Sequence, residues 1–225
     1  MKAVVLLSGG LDSATCAYIA RERNCEIYAM TAIYGQRHLK EIESAKKVAN
    51  HVGAKEHLIL DIPLQIWGGS SLTDKTMEIS KLGIDSKKKG TIPATYVPAR
   101  NLVLLSLAGS YAEALDADAI YIGATEVDYS GYPDCREDFL KSFETTLALG
   151  SKRGREKRKI RLETPLLHMS KSEIIKTGTR LGADYSLTWS CYEGRERPCG
   201  FCDSCVFRSR GFEKANIEDP LGMEK

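Results

Sequence analysis

The first part of the chain restricts the fold more than any other segment. Residues 2–7 form an almost uninterrupted apolar run, which is typical of a parallel strand covered on both faces. Gly9 and Gly10 follow, and helical periodicity then extends over residues 11–23. A buried strand that leads through a glycine turn into a helix is the opening unit of an α/β protein with a parallel sheet.

The same alternation continues along the chain. Further strands are predicted at residues 26–33, 56–60 and 119–123, and further helices at residues 37–52, 100–115, 137–149 and 171–181. Residues 63–98 break the pattern and are expected to form a long loop over the active face. The sequence therefore predicts a doubly wound parallel sheet in a single domain of residues 1–225. Because ligands bind beyond the carboxyl ends of such strands, the loops after Leu7, Ile33 and Gly123 should converge on one site.

Net charge and hydropathy limit which partners and which cellular compartment are expected. The 225 residues carry a net charge of +2, so the composition as a whole does not require a nucleic-acid partner. No apolar run approaches the roughly 20 residues of a membrane span, and the N-terminus lacks the features of a signal peptide. We therefore expect a cytoplasmic protein without a membrane partner.

Residues 152–161 are a strongly basic stretch. Such a stretch either binds phosphate or RNA, or forms a solvated loop between a helix and the next strand. Because no aromatic residues are interleaved for base stacking, the loop interpretation is favoured. Direct binding of nucleic acid is therefore not expected.

The glycine turn has the composition of a phosphate-binding loop. Its residues are Leu7, Ser8, Gly9, Gly10, Leu11, Asp12 and Ser13. The glycines let backbone N–H groups approach an anion, the following helix adds its positive dipole end, and the serines add hydroxyl donors. A carboxylate beside phosphates implies either an intervening Mg²⁺ or a helix cap, so Asp12 is expected to have one of these roles. The Walker and dinucleotide-binding patterns are both absent.

Four of the seven cysteines are clustered towards the C-terminal end of the chain, at Cys191, Cys199, Cys202 and Cys205. Clustering in an α/β chain indicates a metal site rather than a disulfide framework. Four thiolates with two-residue spacings suit a tetrahedral zinc ion. An iron–sulfur cluster is the alternative, and the lack of a proline after the last cysteine disfavours it. The prediction is a structural C-terminal zinc knuckle over residues 191–205.

Three further segments are rich in aromatic and bidentate polar side chains outside the predicted helices and strands. They are residues 34–38, 95–101 and 128–136. Such groups suit the recognition of a flat, polar ring.

The phosphate loop resembles the SGG-x-D-S loop of the N-type ATP pyrophosphatases, in which it holds the pyrophosphate that leaves when a carbonyl oxygen attacks the α-phosphate. Together with the cysteine cluster and the three ring-binding segments, it closely resembles the 7-cyano-7-deazaguanine synthase family. The resemblance extends from Ser8 to Cys205. At Ile33 the sequence departs from the pattern of the family, in which an acidic residue is expected before Tyr34. This difference concerns a secondary contact only.

The resemblance implies a fold like that of the adenine nucleotide alpha hydrolases and a reaction of 7-carboxy-7-deazaguanine with ammonia and ATP. An adenylated acid forms first, ammonia converts it into an amide, and a second activation leads to the nitrile, 7-cyano-7-deazaguanine (preQ0). The product belongs to queuosine and archaeosine biosynthesis. Free ammonia is expected as the nitrogen source, because no amidotransferase module is visible, and a homodimer is expected by family likeness.

The resemblance also implies roles for individual residues. ATP, with Mg²⁺, is expected at Leu7, Ser8, Gly9, Gly10, Leu11, Asp12, Ser13, Ala14, Thr15, Cys16 and Ala17. Catalytic roles are expected for Lys171 against phosphate, for Asp12 and for Arg100. Substrate binding is expected at Gln36, His38, Tyr96, Asp134 and Arg136.

Four residues have a second interpretation. Lys171 is also consistent with a solvated lysine in a first helical turn, and Asp134 suits a helix N-cap. His38 suits either a general base or a polar helix start. Cys135 suits a nucleophile that forms a thioimide, although ATP already supplies the activation and no basic partner is evident.

Two other functions remain compatible with the sequence. A tRNA-modifying relative, a thiolase or lysidine-type ligase, would share the phosphate loop and would bind tRNA in a strongly salt-dependent way. A non-catalytic nucleotide-binding zinc module would release no pyrophosphate when ATP and the carboxylated base are supplied.

Overall fold

The computed structural model describes residues 1–79, 92–127 and 131–222. The described strands are β1 (Lys2–Leu6), β2 (Glu26–Ile33), β3 (Glu56–Asp61), β4 (Ala119–Tyr121) and β5 (Arg161–Glu163). They form one sheet in the order β3-β2-β1-β4-β5, and every neighbouring pair is parallel. From β1 the chain adds β2 and β3 on one side of the sheet, and it then adds β4 and β5 on the other side of β1. This reversal between β1 and β4 leaves a crevice at their carboxyl ends.

Seven helices are described. They are α1 (Leu11–Glu22), α2 (Lys40–His51), α3 (Arg100–Ala114), α4 (Glu137–Gly150), α5 (Lys152–Arg155), α6 (Lys171–Arg180) and α7 (Asp203–Ala215). Short 3₁₀ helices lie at Leu64–Trp67, Pro133–Cys135 and Tyr185–Leu187. None of the helices in these described ranges has the length and hydropathy that a membrane crossing requires.

The core lies on both faces of the sheet because neighbouring residues of a strand point to opposite sides. Val5 and Leu7 pack with α1, α2, α6 and α7. Val4 and Leu6 pack with α3 and α4 on the other face. This confirms the predicted doubly wound parallel sheet.

The start of one helix differs from the prediction for a physical reason. Helix α2 begins at Lys40 instead of residue 37. The Arg37 guanidinium donates to the backbone carbonyl oxygens of Ser71, Asp74 and Met77 in the following long loop, so this residue is used to anchor that loop. Residues 80–91 of the predicted long loop lie outside the described residues.

The basic stretch is partly helical and partly buried. Residues 152–155 form α5, and the Arg153 side chain is only 7% exposed. Its guanidinium forms ion pairs with Asp116 and, at 3.2 Å, with Asp118, which precedes β4. The basic stretch therefore lies near the amino ends of the strands, at the end of the sheet opposite to the crevice.

Candidate active site

A cavity of about 320 Å³ occupies the crevice at the carboxyl ends of β1, β2 and β4. Ser8 follows β1, Gln36 follows β2, and Gly123 follows β4, and all three line the cavity. The three loops thus meet at one place, as their position in a parallel sheet predicts. The start of α3, the segment 189–192 and residues of α6 and α7 also line the cavity.

The loop after β1 presents uncapped backbone donors to this cavity. Gly10 is the N-cap residue of α1, and no side chain caps the helix there. The first amide groups of a helix have no partner within the helix, so they are available to an anion. Inside the loop, the Ser13 hydroxyl donates to the Gly10 carbonyl oxygen at 3.0 Å and accepts from the Ser8 amide at 3.1 Å. The loop therefore holds its own shape before any ligand arrives.

Gly9 occupies a position that tolerates no side chain. Its φ is +84°, and a Cβ there would lie 2.1 Å from the Glu41 carbonyl oxygen and 2.7 Å from the Ala45 amide nitrogen. Its own carbonyl oxygen accepts a hydrogen bond from the Trp189 amide at 2.9 Å. The loop is thus held between α2 and the segment that leads into the cysteine cluster.

The four predicted ATP-binding residues after Ser13 belong to helix α1 and pack in the core. Ala14, Thr15, Cys16 and Ala17 are buried in α1 and are not part of the cavity wall. The Thr15 hydroxyl donates to the Leu11 carbonyl oxygen at 2.9 Å and lies 2.8 Å from the Tyr185 hydroxyl. Of the residues that the sequence predicts to bind ATP, the phosphate loop therefore lies at the cavity, and residues 14–17 support it from within helix α1 and the core.

Lys171 and Asp12 face each other in the cavity. The Lys171 Nζ atom lies 2.6 Å and 2.7 Å from the two carboxylate oxygens of Asp12. The stem of Lys171, the first residue of α6, packs on Gly211, where a Cβ would lie 2.4 Å from its Cγ atom. Packing of α7 under this stem thus directs the ammonium group towards the phosphate loop.

Arg100 is a half-buried cation at the opposite wall. Its Nη1 atom donates to the Tyr34 hydroxyl at 3.2 Å, and its guanidinium lies 5.3 Å from the Tyr34 ring centre. No carboxylate of the described residues forms an ion pair with it. A guanidinium that lines a cavity without a carboxylate partner is suited to bind an anionic ligand.

Three predicted substrate residues lie elsewhere. Tyr96, Asp134 and Arg136 border a second, shallower depression behind the start of α3. Tyr96 accepts a hydrogen bond from the Ala99 amide at 2.8 Å, and the Asp134 carboxylate accepts from the Asn101 amide at 2.8 Å. The structure therefore places Tyr96 and Asp134 as supports of the turn that presents Arg100 to the cavity. Residues 128–130 of the same predicted segment lie outside the described residues.

The other two predicted substrate residues, Gln36 and His38, line the main cavity. The Gln36 side-chain oxygen accepts from the Tyr34 amide at 2.7 Å, which fixes the turn after β2. The His38 Nε2 atom donates to the Cys191 carbonyl oxygen at 2.8 Å. Burial lowers the pKa of His38 from its ordinary value, which favours a neutral ring.

Cys135 lines the cavity but is a protonated thiol. The Asn101 side-chain amide donates to its sulfur at 3.1 Å. Burial raises the pKa of Cys135 to about 12, which leaves little of the nucleophilic thiolate at neutral pH. These contacts favour a packing role over a thioimide.

Sequence reasoning missed several cavity residues. Glu41, Trp189 and Arg208 all line the cavity, and burial raises the pKa of Glu41 to about 7. An acid in a first helical turn and a tryptophan next to a cysteine segment have ordinary structural explanations. No local sequence pattern indicated that these three residues would meet.

The four clustered cysteines form a site that could hold a metal ion. Their sulfur atoms all lie within 4.8 Å of one another, and all four residues are buried. The Cys199 and Cys205 sulfurs are 3.9 Å apart, close to the roughly 3.8 Å expected for tetrahedral coordination with zinc–sulfur bonds of about 2.3 Å. Backbone amides donate to the Cys191 and Cys199 sulfurs at 3.4 Å, which suits thiolate charge. The donor set fits one tetrahedral ion.

Trp189 connects this cysteine site to the phosphate loop. Its indole Nε1 atom donates to the Cys191 carbonyl oxygen at 2.9 Å, and its backbone amide donates to Gly9. Helix α7, which begins at the cysteine site, contributes Phe207 and Arg208 to the cavity wall. The cysteine site is therefore linked to the phosphate loop and to the cavity wall by direct contacts.

The sequence predicts a metal ion at the cysteine site and ATP at the phosphate loop, and loss of the metal is accordingly expected to weaken ATP binding. We expect Cys202→Ser to lose bound metal and to raise the ATP Kd at least about tenfold, a loss of about 1.4 kcal/mol. Elemental analysis and isothermal titration with ATP measure the two effects. Cys25→Ser, at a half-buried cysteine outside the cluster, should retain both properties. A metal-free Cys202→Ser protein that binds ATP normally would contradict this coupling.

The chain is similar to proteins of one family throughout its length. The family described as "Queuosine biosynthesis protein QueC" matches residues 2–216. A relative from Trichodesmium erythraeum, named 7-cyano-7-deazaguanine synthase, is 48% identical over 221 residues, 98% of this chain and 100% of its own length. A relative of the same name from Ralstonia pickettii is 50% identical over 221 residues, 97% of each chain. A Clostridium kluyveri relative of that name is 49% identical over 98% of this chain and 96% of its own.

A solved structure is similar in fold. The crystal structure of a 4-thiouridine synthetase–RNA complex with bound ATP aligns with 96% of this chain and 50% of that chain, at a TM-score of 0.54 and 18% identity. At this identity the likeness supports the fold alone.

Proposed function

Because the chain belongs to the queuosine biosynthesis protein QueC family, we propose that its cavity converts 7-carboxy-7-deazaguanine and ammonia into 7-cyano-7-deazaguanine at the expense of ATP. The enzyme is an ATP-dependent ligase that forms a carbon–nitrogen bond, and its product enters queuosine biosynthesis. The observation that carries the proposal is the uncapped phosphate loop, which shares one cavity with the guanidinium of Arg100.

The chemistry requires two activations of the same carbon. A carboxylate is a poor electrophile, so its oxygen first attacks the α-phosphorus of ATP, and pyrophosphate leaves. Ammonia then attacks the acyl carbon and displaces AMP to give the amide. The amide oxygen is activated in the same way by a second ATP, and loss of AMP with the remaining N–H protons gives the nitrile.

The phosphate loop and Lys171 are proposed to serve the departing pyrophosphate. The amides of the first turn of α1 bind its oxygens, together with the hydroxyl groups of Ser8 and Ser13. Lys171 stabilises the negative charge that grows as the bond to the α-phosphorus breaks. Asp12 holds the Lys171 ammonium in place and is the loop's candidate ligand for the Mg²⁺ that accompanies ATP.

Arg100 is proposed to bind the carboxylate of the base. Its planar, two-pronged donor group matches a carboxylate and orients one oxygen towards the nucleotide. Tyr34 lies against the guanidinium and keeps it in the cavity wall. Gln36 and His38 are proposed to contact the ring itself.

The cysteine site is proposed to bind one structural zinc ion through Cys191, Cys199, Cys202 and Cys205. Four thiolates complete a tetrahedral zinc ion and leave no position for water, which is typical of structural sites. We further propose that residues 1–225 form one cytoplasmic catalytic domain that assembles as a homodimer. A tRNA-modifying role is less favoured, because the basic stretch 152–161 lies at the edge of the sheet opposite the cavity.

The direct test is a product analysis. Purified protein is mixed with ATP, Mg²⁺, ammonium and 7-carboxy-7-deazaguanine, and the base is followed by mass spectrometry. The amide should appear first and the nitrile later, each with release of pyrophosphate. Failure to consume the carboxylated base under these conditions would exclude the proposed reaction.

A further inference from the structure

Glu41 is a cavity carboxylate to which the proposed reaction has assigned no role. It lies in the first turn of α2, and its backbone carbonyl oxygen packs against Gly9 of the phosphate loop. Its side chain lines the cavity. The Glu41 carboxylate makes no hydrogen bond or ion pair with any side chain in the described part of the chain. Glu41 therefore supplies a cavity-lining carboxylate that no described side chain engages.

The groups that act electrostatically on Glu41 come from three neighbouring elements. They are Arg100 at the start of α3, Tyr34 after β2 and Cys191 in the cysteine site. Burial raises the pKa of Glu41 to about 7, against the opposing effect of the Arg100 charge. A carboxyl group with a pKa in this range can both accept and release a proton at neutral pH.

The other titratable side chains of the cavity are poorly placed to accept protons. Asp12 is occupied by the Lys171 ammonium. Cys135 is a protonated thiol. His38 is tied to a backbone carbonyl oxygen through Nε2, and its Nδ1 atom is buried without a partner.

The reaction itself requires a proton acceptor. Ammonia carries three N–H bonds and the nitrile nitrogen carries none, so three protons must leave the nitrogen. Ammonium, the dominant form at neutral pH, adds a fourth. The two adenylations activate oxygen atoms and accept none of these protons.

We propose that Glu41 binds ammonium in the cavity and accepts the protons that the nitrogen loses during amide and nitrile formation. The inference rests on the proposed function. In the first step the carboxylate takes a proton from ammonium, and the nitrogen lone pair forms the bond to the acyl carbon. The bond from this carbon to the AMP oxygen breaks with its electron pair on AMP, and a second N–H proton passes to the carboxylate after the first has left to solvent. In the second step the bond to the second AMP breaks in the same way, and the remaining N–H protons follow the same route.

The substrates themselves strengthen this role. The triphosphate brings negative charge into the cavity, which attracts the ammonium cation and raises the proton affinity of a neighbouring carboxylate. Cation binding and proton acceptance therefore depend on ATP being in place. Deprotonation of ammonium to ammonia would accordingly occur when ATP is present to produce the electrophilic acyl carbon.

The experiment compares Glu41→Gln with the unsubstituted, metal-loaded protein. Adenylation is measured without ammonium as exchange of pyrophosphate into ATP that depends on 7-carboxy-7-deazaguanine. Transfer of the acyl group is measured as amide formation with ammonium and, separately, as hydroxamate formation with hydroxylamine, which is mostly neutral at pH 7. Glu43→Gln, an exposed acid on the same helix, is the matched control.

We expect Glu41→Gln to exchange pyrophosphate within about threefold of the unsubstituted rate and to form amide with ammonium about 10²–10⁴-fold more slowly. Hydroxylamine should restore most of the rate, because it arrives without the first excess proton. Glu41→Asp should retain part of the ammonium-dependent rate. In the unsubstituted protein, amide formation should rise as the pH passes through the pKa of Glu41, which is about 7 without ATP and higher with ATP bound, while pyrophosphate exchange should not follow that midpoint.

Other results would overturn the assignment. Normal amide formation by Glu41→Gln would show that the carboxylate is dispensable. An unchanged ratio between the ammonium and hydroxylamine rates would show that it does not act on ammonium. Loss of pyrophosphate exchange in a folded Glu41→Gln protein would assign the residue to ATP instead. If Glu41→Gln does not fold, a flat pH profile for amide formation in the unsubstituted protein overturns the proposal by itself. Absence of exchange in the unsubstituted protein would refute the proposed function, and the role of Glu41 would fall with it, whereas failure confined to Glu41→Gln and its ammonium-dependent step concerns Glu41 alone.

Discussion

Replacing Gly9 with alanine is expected to abolish productive ATP binding, with a Kd at least about a hundredfold higher, or about 2.7 kcal/mol. The added Cβ would lie 2.1 Å from a backbone oxygen of α2, and no side-chain movement relieves a contact with backbone. The positive φ of +84° adds roughly 1–2 kcal/mol of local strain for any residue with a Cβ. The loop must therefore move away from α2, and its amides leave the positions that face the cavity. Titration calorimetry with ATP measures the effect.

Gly53 supplies the matched control for this substitution. It also has a positive φ, +71°, but a Cβ there meets nothing within 4 Å. Gly53→Ala should therefore lose about 1 kcal/mol of folding stability through backbone strain and retain its ATP affinity. Equal ATP affinities for Gly9→Ala and Gly53→Ala would show that the conformation of the phosphate loop is not decisive.

Lys171→Met is expected to lower kcat about 10²–10³-fold with a much smaller change in the ATP Kd. Methionine retains an apolar stem over Gly211 and Ile175 but removes the charge beside the phosphate loop. Groups that stabilise charge developing at a leaving group contribute about this factor to kcat. Single-turnover release of pyrophosphate, at saturating ATP and 7-carboxy-7-deazaguanine, isolates the step concerned.

Lys176→Met controls for a general effect on α6, because Lys176 is exposed on the same helix. Its pyrophosphate release should equal that of the unsubstituted protein. A Lys171→Met protein that releases pyrophosphate within threefold of the normal rate would reduce Lys171 to a structural partner of Asp12.

Local sequence patterns were sufficient to predict the centre of the fold. The apolar run of β1, the glycine turn and the periodicity of α1 each arise from neighbours in sequence, and the parallel sheet follows from their repetition. Helix α7 was missed because Gly211 weakens its helical pattern, although this glycine makes room for the stem of Lys171. Strand β5 was missed because it has only three residues and depends on β4 for its hydrogen bonds.

The site was harder to predict than the fold because side-chain direction in loops depends on distant partners. Tyr96 and Asp134 have the chemistry of substrate ligands, but backbone amides at the start of α3 engage both of them. Glu41 has the sequence context of a solvated helix acid, and only the approach of α2 to Gly9 brings it to the cavity. Such placements arise from the packing of elements, which a single sequence does not display.

The most direct measurement follows the oxygen atoms of the carboxylate. The base is prepared with both carboxylate oxygens replaced by the heavy stable isotope, and AMP, pyrophosphate and phosphate are analysed by mass spectrometry. If the acid oxygen attacks the α-phosphorus, one heavy oxygen appears in each AMP, and the pyrophosphate contains none. Heavy oxygen in inorganic phosphate, with AMP unlabelled, would show attack at the outer phosphorus and would contradict the role given to the phosphate loop.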